Sequence, residues 1–241
     1  MLNYYAKVDR MANQHAELFM STNKISSEIV NMIIELYNDV KIEKQYNSSF
    51  FESAYQMSIT PLFEFYLARF LFHTSLRGNY GWKIFLRRQI GKSAPDLRIE
   101  KDGRTIGIIE VKIKGGWIQA FFSEERFNND KTRLALGKSK YNPQELINNQ
   151  NNQLQKYKEA FHDPLVFMLL PTFNMVHRKY YSANYQSYKD NFTKNTGKDK
   201  RYLVVMSRNL RLNLAKVISD SDIMITDEFE NMMNEILNMS E

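Results

Sequence analysis

The sequence predicts a mixed α/β fold, and three stretches carry that prediction. Asp96–Glu100 and Arg104–Ile113 read as two β-strands joined at Lys101-Asp102-Gly103, where an Asp-Gly pair favours a tight hairpin turn. Leu165–Pro171, LVFMLLP, is a near-continuous apolar strand of the kind found at the centre of a sheet covered on both faces. LFEFYLARFLFHTSL, after Thr60-Pro61, is apolar around most of its helical circumference and should be buried.

Composition narrows the class. The 241 residues suffice for one sizeable domain, and 43% hydrophobic with 25% charged residues is ordinary for a globular protein. The absence of cysteine excludes disulfides, thiolate zinc sites and a cysteine nucleophile, so an intracellular, cytoplasmic protein is the simplest expectation. The opening residues show no basic-then-apolar signal pattern, and no apolar run is long enough for a bilayer, so no membrane partner is expected. A net charge of +6 suits a polyanionic partner without identifying one. The four histidines (His15, His73, His162, His177) are scattered, and no phosphate-cradling glycine loop or HExxH helix occurs.

The elements follow in order. Residues 1–20 predict a helix of modest stability. Ser26-Ser27-Glu28 opens a second, with Ile29, Ile33, Ile34 and Tyr37 on one stripe, and Glu43–Ser53 reads as a loop. Thr60 is expected as N-cap of the buried helix, with Pro61 at its first position. Trp82–Ile90 predicts a strand, and Gly91–Ala94 leads into the hairpin. Ile118–Tyr141 is a polar insertion of mixed charge. Asn142-Pro143 begins a helix carrying Leu146, Gln150, Gln153, Leu154 and Tyr157 toward one side, and Asp163-Pro164 ends it. Thr172–Lys200 interleaves basic residues with tyrosines. Arg201–Ser207 is a further strand, LRLNLAKV a short helix, SDIMIT a last strand and DEFENMMNEILN a closing helix with acidic residues at its N-terminus.

The chemistry concentrates in Pro95–Lys112, PDLRIEKDGRTIGIIEVK. Glu110 and Lys112 are two apart, so on a strand they leave the same face, while Val111 and Ile113 point the other way. Carboxylates converging at strand ends can hold a hard cation such as Mg2+, and a neighbouring lysine can orient water or offset charge on a phosphate. The plainer reading of the same residues is a solvated hairpin whose acids and base make surface ion pairs of little energy. Glu64, inside an apolar helix, reads most plainly as pairing with Arg69 or a neighbouring loop.

Pro95-Asp96 followed by Glu110-Val111-Lys112 across a hairpin resembles the PD-(D/E)xK nuclease superfamily, which includes most type II restriction endonucleases. The order helix, three strands, helix, strand is similar to its restriction-endonuclease-like core. The resemblance implies one nuclease domain over 1–241, with a helical extension at 1–55, a catalytic core at 56–171 and a C-terminal part at 172–241. It implies Asp96 and Glu110 as metal ligands with the Val111 carbonyl, Lys112 as the catalytic lysine, Glu64 as a further acid, and Mg2+, with Mn2+ as a substitute, as cofactor. Some exonuclease members carry a glutamine and a tyrosine on the helix after this strand, and Gln150 or Gln153 with Tyr157 looks similar.

The function expected is therefore a Mg2+-dependent endodeoxyribonuclease, a type II restriction enzyme acting on double-stranded DNA as a homodimer. A companion DNA methyltransferase encoded nearby is the expected partner gene. The alternatives are a repair or junction-resolving nuclease, an exonuclease, and an inert DNA-binding protein of the same fold. Basic, polar and aromatic residues after the hairpin are expected DNA contacts: Lys114 just past the second strand, Arg133, Lys138 and Lys140 in the insertion, Gln150 and Gln153 on the helix, and Arg178, Lys179 and Tyr181 beyond.

Overall fold

The computed structural model describes residues 2–50, 59–89, 94–112, 143–171, 189–190, 192, 201–208 and 223–239. Five helices and a mixed sheet make up these residues. The order is α1 (Leu2–Thr22), α2 (Ser26–Phe50), α3 (Ile59–Gly78), β1 (Lys83–Leu86), β2 (Leu97–Lys101), β3 (Arg104–Val111), α4 (Pro143–Ala160), β4 (Leu165–Leu170), β5 (Arg201–Val205), β6 (Ser207–Arg208), β7 (Met224–Ile225) and α5 (Glu228–Asn238). The main sheet runs β1-β2-β3-β4-β5, and β6-β7 form a two-stranded ribbon. β1, β2 and β3 are antiparallel neighbours, whereas β3–β4 and β4–β5 are parallel.

Parallel neighbours need cover on both faces, and the apolar runs supply residues for both. All six residues of β4 and seven of eight in β3 are buried. One face, with Leu97, Ile109, Val111, Phe167 and Leu169, packs in a single cluster with α1, α2, α3 and α5. The other, with Ile108, Val166, Met168 and Leu170, packs against Leu154, Tyr157 and Phe161 of the α4 region.

Helix α1 buries Val8, Ala12, Ala16 and Phe19, a helical stripe whose small residues let it lie close against α3. There the Tyr66 hydroxyl meets His15 Nδ1 at 2.8 Å. Burial pushes the histidine below its ordinary pKa and the tyrosine well above its own, which favours the neutral form of each. Glu230 of α5 reaches back to the start of α2. Its Oε1 accepts from the Ile25 and Ser26 N–H groups at 2.7 Å, and its Oε2 from the Ser26 hydroxyl at 2.5 Å. A carboxylate at a helix N-terminus satisfies orphan donors and complements the dipole.

Three local expectations change. Residues 43–50, expected as loop, continue α2 to Phe50. Helix α3 is already helical at Ile59, so Thr60 is not its N-cap; Pro61 sits in the first turn, where a missing N–H costs no bond. The strand expected over Trp82–Ile90 is only Lys83–Leu86, because Arg87 adopts a left-handed φ of 47° and ends it. Among the described residues no helix is long and apolar enough to cross a membrane.

Candidate active site

The hairpin forms where the sequence places it. Lys101 pairs with Arg104, leaving Asp102 (φ 51°) and Gly103 (φ 78°) as a two-residue turn with both φ values positive. A bulge then interrupts the ladder: Glu100 pairs with Thr105 but Ile99 with Gly107, so Ile106 is an extra residue. Its consequence is a change of parity. Ile106 packs with Ile109 and Val111 in the helical layer, and Glu110 shares the α4 face with Ile108. Without the bulge, Ile106 and Glu110 would alternate onto one face.

The ladder also aligns the polar residues. Leu86 pairs with Leu97 and Leu97 with Ile109, so the next step puts Arg87, Asp96 and Glu110 in one row across three strand ends. The Arg87 N–H donates to the Asp96 carbonyl at 2.9 Å, which closes that row at its β1 side. The Asp96 side chain turns inward, and its Oδ2 accepts the Val111 N–H at 2.8 Å. Burial, with added repulsion from Glu110 and Glu64, pushes the Asp96 pKa up to about 6, against the lowering effect of the Val111 N–H and Lys112.

Glu110 is the hub. Lys112 Nζ lies 2.5 Å from its Oε1, and Gln153 Nε2 donates to the same oxygen at 2.8 Å. The Tyr157 hydroxyl donates to Oε2 at 3.0 Å and accepts from Gln153 at 2.9 Å. Gln153 and Tyr157 are one helical turn apart on α4, so both reach the strand beneath. Burial and then the Glu110 charge raise the tyrosine's pKa, which keeps its proton on the hydroxyl as a donor. Of the two glutamines singled out in the sequence, Gln153 is thus the one that meets Glu110; Gln150 is buried on the same helix.

Glu64 does not pair with Arg69, which instead binds Asp9 beside His73. Its partner is Arg87, a residue expected within the strand Trp82–Ile90. Arg87 Nη2 donates to Glu64 Oε1 at 2.7 Å, and Nε donates to Oε2. The Glu64 side chain is only 2% exposed, so this bidentate cation neutralises a buried charge. Repulsion from Glu64 also adds, behind burial and Glu110, to the raised pKa of Asp96. Among the described residues no three His, Cys, Asp or Glu side chains gather as a ready metal cluster.

Lys114, Arg133, Lys138, Lys140, Arg178, Lys179 and Tyr181 lie outside the described residues. A cleft of about 670 Å³ opens near Thr22, Ser26, Arg208 and Met224, and none of the residues of the Asp96–Glu110 site lines it. No family model matches the chain, and neither does any curated protein or solved structure.

Proposed function

We propose that this protein is a Mg2+-dependent DNA nuclease, in the first instance a type II restriction endonuclease with the core of the PD-(D/E)xK superfamily. One observation carries the reading. Two carboxylates opposed on neighbouring strands share a site with a lysine, and α4 supplies two further donors to one of them. A structural ion pair would not need a second, half-buried carboxylate whose proton affinity is raised by desolvation and by repulsion from Glu110.

The donor set fits a hard divalent ion: two carboxylates whose mutual repulsion a cation would relieve. Asp96, Glu110 and the Val111 carbonyl would hold Mg2+ or Mn2+, which when bound supplies Lewis acidity to the phosphate and to water. The rest is done by side chains. Lys112, about one-quarter exposed and anchored on Glu110, carries a cation to the mouth of the site. There it orients a water whose oxygen bonds to phosphorus as the bond to the leaving oxygen breaks, and it offsets the charge that develops. Gln153 and Tyr157 fix the rotamer of Glu110. Arg87 keeps the charge of Glu64 compensated. The substrate is double-stranded DNA, cut by a homodimer matching a symmetric site, with a DNA methyltransferase as companion. A second reading, an exonuclease, is favoured by Gln153 and Tyr157 on Glu110, since some exonucleases of that superfamily carry such a pair.

Incubating the protein with supercoiled plasmid and with linear DNA, in Mg2+ or EDTA, decides between them. Discrete EDTA-sensitive fragments from both forms, lost in Asp96→Ala and Lys112→Ala, are expected for a restriction enzyme. Shortening of linear DNA alone selects the exonuclease. Failure of folded protein to cleave either form overturns the nuclease reading.

A further inference from the structure

Arg87 is the group at this site that the proposed chemistry leaves least explained. Neutralising Glu64 uses Nε and one N–H of Nη2, two of the five donors of a guanidinium. The side chain remains 53% exposed, twice the figure for Lys112. Its backbone sits in the left-handed region, which is uncommon and costly for an arginine. Asparagine or glycine would end β1 at less strain, yet neither could supply a cation.

Position narrows its use. Arg87 stands in the row with Asp96 and Glu110, two strand spacings from Glu110, or about 10 Å. That spacing is between backbones, and a guanidinium held back on Glu64 stands to one side of the bond attacked beside Glu110 and Lys112. It is within reach of another phosphate on the same backbone. Planar arginine donors suit phosphate oxygens, and the carboxylate behind holds the fork in one orientation before substrate arrives.

We infer that Arg87, braced by Glu64, is a substrate-positioning residue that binds a backbone phosphate next to the one hydrolysed. The inference rests on the nuclease reading above. Glu64 on this account is the brace of a phosphate clamp and not a metal ligand.

The test measures binding of a short DNA duplex in EDTA, where cleavage is off, across a salt series. Glu64→Gln keeps the cation but loses its brace, so it should still bind, more weakly than the parent protein by no more than about threefold. Adding Arg87→Gln to Glu64→Gln removes the cation without stranding a buried charge. It should weaken binding about tenfold and lower the slope of log K against log salt by about one. Isothermal titration with Mg2+ should leave metal affinity unchanged in Glu64→Gln. Equal affinity and slope in the single and double variants, both folded by circular dichroism, would overturn the inference while leaving the nuclease reading intact. So would loss of Mg2+ binding in Glu64→Gln, which would make Glu64 a ligand. A parent protein that neither binds nor cuts DNA would sink both.

Discussion

Asp96 is where the fold and the proposed chemistry oppose each other. Its pKa rises from 3.8 to about 6, so the folded protein holds this proton more tightly than the unfolded chain does. Raising the pH through that window removes the proton and destabilises the fold; above about 6 the whole cost is present, and below 3.8 none is. Asp96→Asn keeps an acceptor for the Val111 N–H and abolishes the charge. It should stabilise the protein at pH 7.5 by about 1–2 kcal/mol, discounting for partial exposure, and by nothing at pH 3.5. Thermal melts at the two pH values check this. Tyr157→Phe tests the support of Glu110: cleavage should fall about 10–100-fold while the far-ultraviolet spectrum is unchanged. The residues of this site were legible in the sequence to the extent that strand and helix periodicity fix direction. Asp96, Glu110 and Lys112 follow from the hairpin, and Tyr157 with a glutamine from the helix. Arg87 was not legible, because its role depends on one left-handed φ that no residue type at that position announces.

At the scale of elements, the hairpin turn and the bulge do separate jobs. The turn sets the pairing of β2 with β3, and the bulge sets which face receives Glu110. Gly103 has open space around a Cβ, so Gly103→Ala meets no neighbour and suffers only from its φ of 78°. It should cost about 1 kcal/mol, whereas Gly107→Ala, with normal φ and its nearest contact the flexible tip of Ile99 at 3.4 Å, should be close to neutral. Denaturant titration of both variants compares them. The Asp-Gly pair made the turn readable; the bulge was invisible, since it is defined by pairing and not by local composition. The length of α2 was misjudged for a similar reason. Residues 43–50 are polar enough to read as loop, and helix propensity alone did not outweigh that.

For the whole molecule, the order of elements was legible because each β-strand of the main sheet carries the apolar pattern its position requires. What the sequence withheld was the clasp between distant parts. Glu230 on α5 satisfies three donors at the start of α2, where Glu230 and Ser26 are both buried. Glu230→Ala orphans all three and should destabilise the protein by about 3 kcal/mol, lowering Tm without altering the geometry at Glu110. A calorimetric scan checks the first part and residual cleavage at low temperature the second.

That clasp also orders events during synthesis. Residues 26 and 230 are separated by most of the polypeptide, so α2 emerges from the ribosome and waits, its first turn uncapped, until Glu230 has been translated. Strands β3, β4 and β5 impose the same delay, because parallel partners meet only after their crossovers exist. A nascent chain stalled before α5 should therefore be cut readily by protease within α2. Release of the residues through Asn238 should close the helix, the sheet and the site together.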